Sequence, residues 1–323
     1  MVRWVLTLLF IGFLAYFVHW TEVRHIVQRA DAPILLLAAI TYFADRVLTA
    51  YKWGLLLRVQ GVRIPLVLNV GINSAAPLVG MVLPVTVGAD ALRVLWLSRL
   101  NIPTVAVASS IVFERLIGFA VAVLAAIVGL TYLLYQTKAT GPLTDVVWLL
   151  VAIAILVIGV LLTSFSAVTT KRLGRLLRPF SSWKPFKLLQ KVHEAYGCYR
   201  NAWRYVIPFV ALTVLRQMLS VGGNYVIAAA LQIKVEPVEL LAAVAVTVLL
   251  SRLPITFDGI GIYEGVLMLL LMPLGLNAED VLAIAVVFRI LIVVSSAPGA
   301  VAAFMTLGLR VDEVRKHRKE VSI

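Results

Sequence analysis

Two stretches of this chain, 170 residues apart, place prolines, glycines and charges inside sequence that otherwise suits a lipid bilayer. The first runs Leu83-Pro84-Val85-Thr86-Val87-Gly88-Ala89-Asp90-Ala91-Leu92-Arg93. The second runs Leu253-Pro254-Ile255-Thr256-Phe257-Asp258-Gly259-Ile260-Gly261-Ile262-Tyr263-Glu264. Each precedes an apolar segment with a related word, Val112-Phe113-Glu114-Arg115 in one case and Val287-Phe288-Arg289 in the other. Helix breakers and charges at membrane depth are tolerated only where protein or a wet cavity surrounds them. A duplicated unit of this kind is the pattern of a transporter core.

The surrounding sequence sets the solvent. Hydrophobic residues make up 62% of the 323 positions and charged ones only 14%, too few for a soluble chain of this size. The expected fold class is therefore an all-α polytopic membrane protein, a single transmembrane domain over residues 1–323. A spanning helix needs about 20 apolar residues. Six segments qualify: Trp4–Val18, Ala32–Leu57, Pro103–Tyr135, Val146–Thr163, Tyr205–Leu231 and Val281–Leu309. The first has a basic residue before it but no small-x-small cleavage pattern after it, so it reads as a retained helix rather than a signal peptide. Pro298-Gly299 is expected to kink the last one.

Charge placement orients these spans. Nine basic residues and one acid lie between Lys171 and Arg204, and the tail from Arg310 to Glu320 carries five basic and three acidic residues. Basic loops stay in the cytoplasm, which puts both termini and the linker 166–204 there, with the plasma (inner) membrane as the expected location. The linker mixes its cations with Phe180, Trp183, Phe186, Tyr196, Tyr199 and Trp203. That composition suits the headgroup layer and anionic lipids, and equally suits simple topology marking. Both patches flank apolar spans directly, which argues against nucleic acid.

Counting crossings leaves two broken segments, 66–100 and 238–274, that must enter and leave on the same side. The first repeat, 32–135, then reads helix, re-entrant hairpin, helix. The second, 205–309, reads the same from the opposite face, an inverted-topology repeat. Arg46 and Arg216 keep the offset of 170, and the offset grows to 175 at Val112 and Val287. Pro84, Gly88, Pro254, Gly259 and Gly261 are the hairpin breaks, and the two tips are expected to meet around a cavity. A short leg starting near Asp258-Gly259-Ile260-Gly261 would point free N–H groups there and favour an anion.

Charges at bilayer depth cost at least about 2.5 kcal/mol each on insertion scales, so they are expected to be paired or functional. The candidates for substrate binding or translocation are Arg46, Asp90, Arg93, Glu114, Arg115, Arg216, Asp258, Glu264 and Arg289. Lys52 reads as a residue able to snorkel from a helix end to the interface. Arginines offer bidentate bonds to phosphate, and basic residues outnumber acids among the intramembrane charges. Structural ion pairing is the plainer reading of any one of them. One cysteine and four scattered histidines leave no disulfide framework and no recognisable metal site, and no cofactor motif is present.

These words resemble the lysylphosphatidylglycerol synthase transmembrane-region family of flippase-like membrane proteins. Pro84 through Gly88-Ala89-Asp90 to Arg93, Glu114-Arg115-Leu116-Ile117-Gly118, and Gly259-Ile260-Gly261-Ile262-Tyr263-Glu264-Gly265 match its three words in order. Val85-Thr86-Val87 and Asp258 depart from its more usual small residues. The resemblance implies the lipid-translocating region without the soluble aminoacyl-transfer domain of the larger relatives. The leading expectation is a flippase or transporter of an anionic or phosphate-bearing lipid, rather than an enzyme. Its partners would be membrane lipids, and a homo-oligomer is compatible with it. The alternatives are a membrane transferase acting on lipid-linked substrates and a non-transporting scaffold.

Overall fold

The computed structural model describes residues 19–82, 88–137, 148, 151–156, 159, 197–251, 256 and 259–320. Among these, all regular structure is helical. The order is α1 (Trp20–Gln28), α2 (Ala32–Val59), α3 (Leu66–Val82), α4 (Gly88–Ser98), α5 (Thr104–Thr137), a 3-10 turn (Gly197–Asn201), α6 (Trp203–Ala230), α7 (Pro237–Ser251), α8 (Ile262–Leu271), a second 3-10 turn (Met272–Leu274) and α9 (Ala278–Glu320).

Among the described residues, four helices are long and apolar enough to cross a bilayer: Ala32–Val59, Thr104–Gln136, Trp203–Ala230 and Ala278–Ala303. They match four of the six expected spans. Trp4–Val18 lies outside the described residues, and of Val146–Thr163 only 148, 151–156 and 159 are described, as helix. The last helix continues past the expected end at Leu309 to Glu320. Pro84, Pro254 and Asp258, and the linker from 166 to 196, also lie outside the described residues.

Large apolar side chains cover much of the outside, and several charged and polar ones lie inside. Leu36, Ile40, Val128, Ile207 and Met218 are exposed, whereas Asp45, Lys52, Asn73, Arg93, Thr213 and Glu264 are buried. Apolar side chains facing outward and charges facing inward fit a lipid solvent. The chain is an integral membrane protein.

Helix α2 begins where the Asp31 carboxylate accepts the Ile34 backbone N–H, with a proline in the first turn. It stops at Gly61, whose φ of 75° suits glycine. Its closest companion is α6, and the two run antiparallel. The Asp31 N–H donates to the Ala230 carbonyl at 2.8 Å. Midway, Arg216 Nε lies 3.2 Å from Asp45 Oδ1. At the far end the Tyr199 hydroxyl donates to the Leu56 carbonyl. Tyr199 thus carries the end of the basic linker into the core, stacked on Phe113.

The packing partners of α2–α5 map onto those of α6–α9. Helix α3 packs on α4 as α7 packs on α8, α4 on α5 as α8 on α9, and α3 on α9 as α7 on α5. The last two contacts are made by small residues. A Cβ on Gly129 of α5 would lie 2.7 Å from the Ala242 carbonyl oxygen of α7, and one on Gly71 of α3 would lie 2.9 Å from Ala303 Cβ of α9. Small residues let membrane helices approach closely, where dispersion and backbone contacts replace the missing hydrophobic drive.

Candidate functional site

A cavity of about 550 Å³ opens between α2, α3, α4, α5 and α6. Its lining includes five cations, Arg46, Lys52, Arg93, Arg115 and Arg216, and two acids, Asp90 and Glu114. Helical spacing delivers them. On α2, the lining residues Thr49 and Lys52 follow Asp45 by four and seven residues on one face of the helix, and on α6 Arg216 and Gln217 follow Thr213 by three and four.

Glu114 is the hub. Its Oε1 accepts from Lys52 Nζ at 2.9 Å and its Oε2 from Arg93 Nη1 at 3.0 Å. Arg93 also bonds Asn73 Oδ1 through Nη2 and lies 3.5 Å from Asp90 Oδ1. Its guanidinium carbon sits 4.0 Å from the centre of the Trp53 ring. The indole N–H of Trp53 donates to Ser110 Oγ at 3.0 Å, which fixes the ring against α5. Lys52 Nζ lies 4.8 Å from the centre of the Phe209 ring. Lys52 is only 3% exposed, so it does not snorkel. Its stem lies along a buried face, where a carboxylate and a π-face receive its ammonium.

The rest of the lining grades from buried to open. Arg216 Nε donates to Thr49 Oγ1 at 2.9 Å. Asp90 Oδ2 accepts from Arg115 Nη2 at 2.7 Å, and that arginine side chain is 60% exposed. The pair therefore stands where the cavity meets the outside.

Glu264 and Arg289 form a separate group on α8 and α9. Arg289 Nε donates to Glu264 Oε1 at 2.5 Å and Nη2 to Oε2 at 3.2 Å. The same Nη2 reaches the Gly259 carbonyl, and Glu264 Oε2 accepts the Gly261 N–H at 2.7 Å. Gly259 and Gly261 have φ of 69° and 84°, which a side chain rarely adopts. A Cβ at Gly259 would also meet Ser251 at 2.9 Å. Beside this group the Tyr263 hydroxyl donates to Asn224 Oδ1, and its ring stacks on Phe288. The α8 N-terminus expected to receive an external anion is occupied by the chain's own Glu264 carboxylate.

Of the nine charged positions that stand out in the sequence, Arg46, Asp90, Arg93, Glu114, Arg115 and Arg216 share the cavity. Glu264 and Arg289 pair with each other away from its lining, and Asp258 lies outside the described residues. Gly88 begins α4, whose Ala89 and Asp90 line the cavity. Lys52, Thr49, Asn73, Thr213 and Gln217 also line it, although none of them is a sequence-predicted site residue. The signal for them is the helical spacing of polar positions in apolar helices, since Asn69 and Asn73 also recur at four on α3. Among the described residues no group of three or more His, Cys, Asp or Glu stands together as a metal site would require.

Helices exposing apolar faces around a polar interior define a membrane protein with an internal cavity lined by five cations and two acids. Residues 1–299 match the family described as the lysylphosphatidylglycerol synthase TM region, and the chain belongs to that family. No curated protein matches it.

Proposed function

We propose that this protein is a lipid flippase or lipid transporter that carries an anionic, phosphate-bearing headgroup across the bilayer through the cavity between α2 and α6. The observation that carries the reading is the lining itself: five cations against two acids around about 550 Å³ of space, walled by membrane-spanning helices. A cationic, partly desolvated pocket favours an anion, and arginine suits phosphate in particular. The family's description names a membrane region of a lipid-making synthase, which favours a lipid as the ligand.

In this reading α3–α4 and α7–α8 are two re-entrant hairpins of an inverted repeat, with the breaks at Pro84, Gly88, Pro254, Gly259 and Gly261. The antiparallel pairing of α2 with α6 and the matching packing partners support it. Alternating access would then be a rocking of one repeat against the other. The termini and the basic linker lie in the cytoplasm in this reading, and the membrane is the plasma (inner) membrane. The test is reconstitution into liposomes carrying fluorescent lipids on one leaflet. Faster crossing of an anionic lipid than in protein-free vesicles is expected. Rates no faster than in protein-free vesicles, for anionic and polyprenyl-phosphate lipids alike, would overturn the proposal.

A further inference from the structure

Glu114 holds a position out of keeping with a simple strut. Its two oxygens span an ammonium on α2 and a guanidinium on α4, the same two-oxygen reach that a phosphate presents. Both cations have other support. Arg93 is fixed by Asn73 and by the face of Trp53, and Lys52 lies over Phe209. None of these contacts involves the carboxylate. The lining as a whole carries more positive than negative charge, so an incoming anion replaces lost pairing.

We propose that the Glu114 carboxylate is the cavity's resident counterion: it fills the place between Lys52 and Arg93 that the phosphate oxygens of a ligand take, and the ligand displaces it. This rests on the transporter reading for the identity of the ligand as a lipid, but the displacement itself needs only a phosphate. It gives the site a means of release. A binding site that only attracts holds its cargo, and transport needs binding weak enough to leave. A carboxylate that returns to the two cations supplies that weakening without any outside energy. Occupancy by Glu114 lowers the fraction of binding-competent sites, and apparent affinity falls by that fraction.

The test compares wild type, Glu114→Gln and Glu114→Asp, purified in uncharged detergent, by calorimetric titration. The probes are inorganic phosphate and dihexanoyl phosphatidylglycerol, with dihexanoyl phosphatidylcholine as the lipid lacking net charge. Removing the internal competitor is expected to tighten binding of the anionic probes ~tenfold. Liposome transport by Glu114→Gln is expected to slow as affinity rises. Glu114→Asp, which keeps the charge but is one methylene too short to reach both cations, is expected to tighten binding less. Adding Lys52→Gln to Glu114→Gln is expected to remove the gain.

Anionic binding by Glu114→Gln that is unchanged or weaker than wild type, in protein with a cooperative melt, overturns the proposal. If Glu114→Gln does not fold, Glu114→Asp takes its place, and unchanged or weaker anionic binding there overturns the proposal equally. Tightening for inorganic phosphate but not for the anionic lipid upholds the displacement and counts against the lipid reading. Transport by wild type with no tightening in either variant leaves the lipid reading standing and sinks the displacement.

Discussion

The two halves of the molecule contain the same kind of ion pair with the charges exchanged. In the first half, Arg93 on α4 meets Glu114 on α5; in the second, Glu264 on α8 meets Arg289 on α9. The helices joined are equivalent in packing order. The surroundings are not. Glu264 and Arg289 satisfy each other through two contacts, and the backbone of Gly259 and Gly261 takes part of what remains. That group lies away from the cavity lining, and it pins the start of α8 against α9. Around Glu114 a second cation, an acid beside Arg93 and open space are added. In the proposed inverted repeat, one position serves as a clasp, and its counterpart serves as a site. The proposed duplication supplies the framework, and the residues around each pair set its role.

The largest effect expected from that contrast is on folding. Arg289→Met leaves a buried carboxylate without its cation, which costs about 3–5 kcal/mol. The double variant Glu264→Gln, Arg289→Met is expected to regain much of this. Thermal unfolding in detergent measures both. A transport defect in Arg289→Met with an unchanged melting temperature would erase the distinction between clasp and site. The first half should respond the other way. Lys52→Met, with Arg93 still holding Glu114, is expected to lower lipid transport at least ~tenfold, the scale of about 1.4 kcal/mol of lost ligand interaction. Its loss of melting temperature should be smaller than that of Arg289→Met.

The framework shared by both halves gives a third comparison. Gly129→Val drives a side chain into the Ala242 backbone, and overpacking of this kind costs about 1–3 kcal/mol. A comparable loss is expected for Gly71→Val at the matching contact with Ala303. Strongly unequal losses would argue against equivalent roles for these two packing seams. The smallest effect belongs to Arg115→Gln. Its pair with Asp90 is largely exposed on the arginine side, and exposed pairs contribute about 0–1 kcal/mol. The melting temperature should barely move, while capture of an anionic lipid becomes less sensitive to salt.

The contrast between halves also marks where sequence stops informing. Six of the seven charges that line the cavity stand out because each interrupts apolar sequence at a known cost. Arg46 and Arg216 can be matched by offset alone, and α2 and α6 do pair. Lys52 misleads because its nearness to a helix end suggests snorkelling, while its place one turn beyond Thr49 on the Asp45 face points inward. Asn73, Thr213 and Gln217 carry no charge, and single uncharged polar residues are ordinary in membrane helices, so only their spacing points inward. The Glu264–Arg289 clasp is beyond reach for a different reason. Both residues are conspicuous as charges, but which partner a buried charge takes depends on helix packing between segments far apart in the chain. The exchange of charges between halves hides that pairing from any comparison by residue identity.

The proposed transport requires the cavity between α2 and α6 to hold a phosphate-bearing lipid headgroup. An electron cryomicroscopy map of the protein in nanodiscs containing anionic phospholipid tests it directly. A headgroup bound there places phosphate density within hydrogen-bonding distance of Lys52 and Arg93, with Glu114 turned away and acyl density passing out between helices. Lipid density confined to the outer apolar faces, with Glu114 still bridging Lys52 and Arg93, contradicts it.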